Sequence, residues 1–260
     1  MANKVKEMLK QGKLTVGGWE GLNSVAAAEV MAVAGFDWVA ADVEHSTHSE
    51  QDYAYMATAV KARGAVPIAR VFDKSMRSIR RILDAGAMGV IVPMIRTADD
   101  AREVVKAAKY PPMGIRGAGA GAFAAYGITL GESFKSGNDD TLVMVMVETK
   151  EAVENIDEIM SIDGIDGMFL GPFDLSCSYG HPGEITHPVV AEAMVKSREA
   201  CKKYGKAAGL HVLPNDYNII KDAIDKGFTF IALSYDANII HLGSKEMIEK
   251  ARQAEADAKK

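Results

Sequence analysis

Eight short apolar runs, each followed by a longer amphipathic stretch, constrain the fold of this chain more than any other feature. The runs are 14–19 (LTVGGW), 38–44 (WVAADVE), 66–71 (VPIARV), 89–94 (GVIVPM), 142–148 (LVMVMVE), 167–171 (GMFLG), 208–212 (AGLHV) and 228–234 (FTFIALS). Most lack strict polar–apolar alternation, which is the pattern of parallel strands covered on both faces. Between and after them, helical spacing predicts helices over 23–34, 49–63, 75–86, 97–108, 150–161, 189–204, 216–226 and 238–257. Thr97 before Ala-Asp-Asp-Ala reads as a helix start, and Gly86, Gly205 and Gly227 stand where helices should stop. Eight such alternations admit a closed barrel or a doubly wound open sheet. No G-x-G-x-x-G follows the first strand, and the count of eight matches the barrel. The expectation is an α/β protein with one (β/α)8 TIM-barrel domain over 1–260, since 260 residues is close to the roughly 250 of that fold.

Charge and cysteine content then narrow the function. A net charge of −5 argues against a nucleic-acid or acidic-membrane partner and leaves a small molecule. The only two cysteines, Cys177 and Cys201, have no close-spaced partner. Neither a disulfide framework nor a thiolate zinc site is expected, and a reducing cytoplasm fits best. The first residues, MANKVKEMLKQGK, contain no apolar run suited to a signal peptide, and no stretch reaches the ~20 apolar residues of a membrane span.

In a barrel the active site is built at the C-terminal ends of the strands. Trp19 ends the first predicted strand, Asp42-Val43-Glu44-His45 the second, Arg70 the third and Glu148 the fifth. The sixth runs into Gly171-Pro172-Phe173-Asp174, the seventh carries His211, and the eighth leads to Asp236. Glu148 and Asp174 are the candidate metal ligands. Two carboxylates without thiolates or paired histidines suit a hard divalent cation such as Mg2+ or Mn2+. Each also has a plainer reading: Glu148 as an acid at the start of the next helix, Asp174 as an N-cap. Arg70 lies in an apolar run, so it needs a partner, either a structural carboxylate or a substrate oxygen. His45 follows Asp42 by three residues, and a carboxylate beside an imidazole fixes its orientation and raises its basicity. A lone histidine is equally compatible with a structural role.

Several features point away from other chemistries. No lysine lies in the eight runs, and Lys61, Lys202, Lys203 and Lys206 fall on helical or polar stretches. That argues against Schiff-base catalysis. The 30-odd residues over 110–140 include GIRGAGAGAFAAYG, which lacks the Lys-Ser/Thr ending of a P-loop and reads as a mobile lid or turn closing over a site. His48 and His181 are expected to be surface or loop residues. Met88, Met94, Met144 and Met146 are expected mostly as core filler.

At these residues the sequence resembles the metal-dependent class II pyruvate aldolases, a family that includes 4-hydroxy-2-oxoheptanedioate aldolase, 2-dehydro-3-deoxyglucarate aldolase and macrophomate synthase. FDWVAADVEHS (36–46), LDAGAMGVIVPMIRTADDAREVVKAAKYPPMGIRG (83–117), VETKEAVENIDEIMSIDGIDGMFLGPFDLSCSYG (147–180) and GFTFIALSYDA (227–237) carry the resemblance. It implies reversible aldol cleavage of a 4-hydroxy-2-oxo acid to pyruvate and an aldehyde, in aromatic or sugar acid catabolism. It implies a Mg2+, Mn2+ or Co2+ ion on Glu148 and Asp174, with His45, supported by Asp42, as acid/base. Arg70 would hold pyruvate, and backbone N–H groups of the Gly171–Asp174 turn, which includes Phe173, would bind its carboxylate. Trp19 and Asp84 match family positions near the site. A trimer or hexamer with the last helix exchanged between subunits is also implied. Met146 and Met88 depart from the family, which usually has glutamine there, and STHSEQD after His45 departs too. Those differences leave room for a citramalyl- or malyl-CoA lyase-like enzyme, or for a 2-oxo acid binding protein without turnover.

Overall fold

The computed structural model describes residues 2–259. Eight strands, β1 (Thr15–Glu20), β2 (Trp38–Asp42), β3 (Val66–Arg70), β4 (Gly89–Val92), β5 (Leu142–Val147), β6 (Gly167–Leu170), β7 (Ala207–Val212) and β8 (Phe230–Tyr235), form a closed barrel in chain order. Every neighbouring pair is parallel, and β8 closes on β1. The (β/α)8 expectation is correct.

The helices are α1 (Lys4–Lys10), α2 (Val25–Ala34), α3 (Glu50–Ala62), α4 (Met76–Asp84), α5 (Ala98–Ala108), α6 (Leu130–Asp140), α7 (Lys150–Glu154), α8 (Ile156–Ser161), α9 (Pro172–Ser178), α10 (Pro188–Lys203), α11 (Tyr217–Asp225) and α12 (Asp236–Asp257). Side-chain caps fix many of their starts. Ser49 and Thr97 form capping boxes with Asp52 and Asp100, satisfying N–H groups that a helix start otherwise leaves orphaned. The helix expected over 150–161 is two, α7 and α8, interrupted at Asn155.

Strand periodicity sorts the core into two parts. Val143, Val145 and Val147 of β5 point outward and pack, fully buried, under the helices. Leu142, Met144 and Met146 point inward, where they meet Trp38, Ile68, Phe169 and Phe230. Burying each such side chain stabilises the fold by about 1.5–3 kcal/mol. The barrel is therefore filled with side chains below its rim.

The charged N-terminal segment, for which the sequence suggested no element, forms α1 and closes the barrel floor. Val5 and Leu9 join the interior cluster. Asn3 Nδ2 donates to the Met88 carbonyl at 2.8 Å, and Lys6 Nζ pairs with Asp166 at 3.0 Å. No helix among the described residues is long and apolar enough to cross a membrane.

Candidate active site

The same inward parity that fills the barrel delivers polar groups to its top. On β2 the inward series Trp38, Ala40 ends in Asp42, and on β3 the series Val66, Ile68 ends in Arg70. Asp42 and Arg70 are Cα partners in the register. Arg70 Nε donates to Asp42 Oδ1 at 3.0 Å, and a second guanidinium nitrogen clasps Asp42 Oδ2. The third nitrogen lies 3.3 Å from Glu44 Oε2. Trp19 Nε1 donates to Asp42 Oδ2 at 3.3 Å, and its ring lies 5.2 Å from the Arg70 guanidinium carbon. Burial pushes the Asp42 carboxyl up, but the hydrogen bonds and charge of Arg70 outweigh it and hold the group below its ordinary value. Both partners left open for Arg70 are therefore provided for. Of the five N–H donors of a guanidinium, two are hydrogen-bonded to Asp42, and three remain for Glu44 or a ligand.

His45 is placed differently from the expectation that Asp42 supports its ring. Asp42 Oδ1 accepts from the His45 backbone N–H at 3.1 Å, whereas the imidazole Nε2 lies 3.7 Å from Glu44 Oε2. The His45 side chain is 64% exposed, so the ring reaches out over the rim. Glu44 thus stands between Arg70 and His45. Sequence reasoning passed over it, although it shares the inward parity of Asp42 two residues earlier.

Glu148 is the next inward position after Met144 and Met146, and only 4% of it is exposed. Its Oε1 accepts from the Met94 backbone N–H at 2.6 Å. β4 stops at Val92, short of the expected 94, because Pro93 offers no N–H and Met94 turns into the left-handed region at φ 57°. That uncommon backbone aims the N–H at the carboxylate. Gly171 occupies the inward position of the neighbouring strand, where a Cβ would stand 3.0 Å from Glu148 Oε2. Any side chain there would press on the carboxylate. Asp174 sits in the first turn of α9, close enough, with Glu44, to act electrostatically on Glu148. Burial first, and these two acids after it, push the Glu148 carboxyl up to about 7. Burial, Asp42 and Asp174 also raise Glu44 despite Arg70 beside it.

Three carboxyl groups in mutual repulsion, one deeply buried, suit a divalent cation. Their donor set is all oxygen, which selects a hard ion. In α9 the Gly171 N–H is already spent on the Val147 carbonyl, and Pro172 has none. Phe173 and Asp174 therefore supply the two free N–H groups of that turn.

Other expectations need correction. His48 is a loop residue, as one of the two readings had it, but not a surface one: its side chain is 1% exposed, and Nε2 lies 2.6 Å from the fully buried Glu20 of β1. Its Nδ1 contacts Ser46 Oγ, which itself reaches the Asp42 carbonyl. This buried pair folds the His45 loop back onto the barrel. Asp84 ends α4, a helix that runs back from the rim, and its Oδ1 accepts from Arg116 at 3.0 Å. Within one chain it does not join the other candidates. The 110–140 connection, expected to close over the site, packs beside Asp84 instead. It leads from a helix into a strand, and such connections lie at the end opposite the rim. It holds a 3-10 turn (Ala122–Gly127) and α6, and a Cβ on Gly121 would collide with the Asp84 carbonyl. His211 points inward beside Trp19, with ring centroids 5.1 Å apart, and its Nε2 bonds the Ser234 carbonyl at 2.8 Å. Burial lowers it toward the neutral form. Asp236 accepts from the Gly21 and Leu22 N–H groups and ties down the β1–α2 loop.

Comparison with known proteins agrees with this geometry. Residues 16–241 match the family model described as HpcH/HpaI aldolase/citrate lyase. A 4-hydroxy-2-oxo-heptane-1,7-dioate aldolase of Shigella boydii is 35% identical over 241 residues, covering 92% of this chain and 91% of that protein. A 2-keto-3-deoxy-L-rhamnonate aldolase of Escherichia coli O157:H7 is 37% identical over 237 residues, covering 91% and 88%. A solved HpcH/HpaI aldolase/citrate lyase family protein from Burkholderia cenocepacia superposes with a TM-score of 0.91 at 32% identity, covering 96% of this chain and 100% of that one.

Proposed function

The chain belongs to the HpcH/HpaI aldolase/citrate lyase family, and on that premise we propose that it reversibly cleaves a 4-hydroxy-2-oxo acid to pyruvate and an aldehyde through a pyruvate enolate. The observation that carries this reading is the convergence of the Asp42–Arg70 clasp, Glu44, His45 and the Glu148–Asp174 acids on one rim. The names of the aldolase relatives support the substrate class.

Each group has a task in that reaction. The N–H donors of Arg70 not bound to Asp42 hold the oxygens of the 2-oxo acid, and the fork to Asp42 keeps the guanidinium from turning away. The N–H groups of Phe173 and Asp174 bind the substrate carboxylate at the positive end of α9. His45, exposed at the rim, moves the proton that the aldol step gains or loses, and Glu44 orients its ring. Trp19 backs the clasp from inside the barrel. Glu148 and Asp174 would hold Mg2+, Mn2+ or Co2+, and when bound such an ion supplies Lewis-acid stabilisation of the enolate oxygen.

Exchange of the pyruvate methyl protons in deuterated buffer tests the proposal without knowledge of the aldehyde. Exchange that requires added divalent cation and stops in excess EDTA is expected. Exchange at the same rate after chelation would refute the role of the ion.

We also propose a trimer or hexamer in which α12 is exchanged. Ile240, Met247 and Ile248 of α12 are 56%, 67% and 62% exposed, an apolar face that the chain itself leaves uncovered. Light scattering of the purified protein tests it. Both cysteines are free, in keeping with the cytoplasm.

A further inference from the structure

A second cluster of ligating side chains lies outside the rim, on the segment between α9 and α10. His181, Glu184 and His187 bring one ligand atom each within 4.8 Å of the others. The backbone explains the gathering. Glu184 N donates to the His181 carbonyl at 3.0 Å, His187 N to the Glu184 carbonyl at 2.9 Å, and Val190 N to the His187 carbonyl at 2.9 Å. Two successive turns, the first with Gly183 in the left-handed region at φ 81°, fold the segment so that the three side chains gather. The three residues, spaced H-x2-E-x2-H, stand at the ends of those turns. The segment is also fastened to α9. Gly183 N donates to Ser176 Oγ at 2.9 Å and His181 N to the Ser176 carbonyl at 2.8 Å, and Ser176 is fully buried.

The side chains are already in contact. The imidazole rings of His181 and His187 stack at a centroid distance of 3.5 Å, and His181 Nδ1 lies 3.9 Å from Glu184 Oε1. His187 Nδ1 accepts from the Val189 N–H at 3.4 Å, the cap of α10, so ligation through Nε2 moves the ring proton to Nδ1 and gives up that long cap bond. Ligands of a tetrahedral ion at ~2.1 Å stand about 3.4 Å apart, and the two rings must tilt out of their stack for their in-plane lone pairs to meet at one ion.

We propose that His181, Glu184 and His187 form a second metal site, selective for a divalent transition ion of the Zn2+, Ni2+, Cu2+ or Co2+ kind. Two imidazoles and one carboxylate favour such ions over Mg2+, whereas the all-oxygen rim favours hard ions. The three protein ligands leave at least one position to solvent. An ion there ties the C-terminal end of α9, whose first turn bears Asp174, to the start of α10.

The full-length chain, stripped with chelator and titrated with Ni2+ by calorimetry, tests this site independently of catalysis. Two equivalents per chain are expected for the wild type, and one for the rim variant Glu148→Gln/Asp174→Asn. His181→Ala with Glu184→Gln should likewise lose one equivalent, as should His187→Asn, which retains a capping side chain for α10. Cu2+ bound to the rim variant should show imidazole nitrogen couplings in its electron paramagnetic resonance spectrum. A rim variant that binds no Ni2+, or Cu2+ bound there without nitrogen couplings, would overturn the proposal, while an unchanged rim site would leave the proposed aldolase chemistry standing.

Discussion

Asp42 and Arg70 are register partners on adjacent strands, and their side chains clasp at two points just where the strands end. The sheet itself sets their separation, so the guanidinium is held without help from substrate. Arg70→Lys replaces the fork by a single point charge. Loss of a positioned donor at a developing oxyanion costs about 100- to 1,000-fold, and that fall in pyruvate proton exchange is expected here. Asp42→Asn should fall less, because a neutral amide still accepts one of the two bonds. Equal rates for Arg70→Lys and wild type would remove Arg70 from enolate stabilisation.

His45 contacts the cluster only through Glu44 and its own backbone N–H. His45→Ala should therefore leave oxalate affinity nearly unchanged while slowing proton exchange by about 100- to 10,000-fold, the usual contribution of a positioned acid or base. NMR exchange and calorimetry on the same sample separate the two effects. An oxalate affinity that collapses with the exchange rate would show His45 to be a binding group.

Glu148 gives the metal site a pH signature. Its carboxyl is raised to about 7, so the folded chain holds a proton that the unfolded chain releases above about 4.5. Without a cation, that group makes stability fall as pH rises from 4.5 to 7. Bound cation competes with the proton, so Mn2+ affinity should climb by up to about tenfold per pH unit below 7 and level off above it. Glu44→Gln removes one of the charges raising Glu148 and should move the break to lower pH. Titrations of Mn2+ between pH 5.5 and 8.5 would show it, and an affinity independent of pH would exclude Glu148 as a ligand.

The rim was legible because two periodicities coincide there. Runs such as LVMVMVE announce a buried strand, and counting inward by twos from Met144 and Met146 reaches Glu148 at its end. The same count from Asp42 reaches Glu44, a signal that was present but outweighed by the adjacent histidine. What escaped depends on folding back. His48 lies in a loop, and nothing local shows that it returns to Glu20, an outward residue of β1. The glycine-rich connection looked like a lid because length and glycine content do not reveal which end of the barrel a loop occupies. Whether it leads from helix to strand does reveal it, and here that places it, with Asp84, away from the rim. α1 escaped because seven mostly charged residues carry little helical periodicity; its role is set by the barrel floor it meets.

That floor holds two buried lysines that share the Thr141 and Asn138 carbonyls as acceptors. Lys6 Nζ reaches the Thr141 carbonyl at 2.8 Å and Lys109 Nζ at 2.7 Å, and Lys109 is 1% exposed. Burial, reinforced by the charge of Lys6, pushes Lys109 down to about 7. The pair therefore sheds a proton in the folded state that an unfolded lysine keeps to about 10.4. Between those limits the unfolded chain binds more protons, so stability rises with pH, at most by about 1.4 kcal/mol per unit; below 7 this dependence disappears. Lys109→Met removes the desolvation cost but leaves the Asn138 carbonyl, now bonded at 2.7 Å, to Lys6 alone at 3.4 Å. The variant should lose the rising limb between pH 7.5 and 9.5 in urea unfolding curves and gain stability over wild type at pH 6. Parallel curves for the two proteins would mean that Lys109 stays charged in the fold.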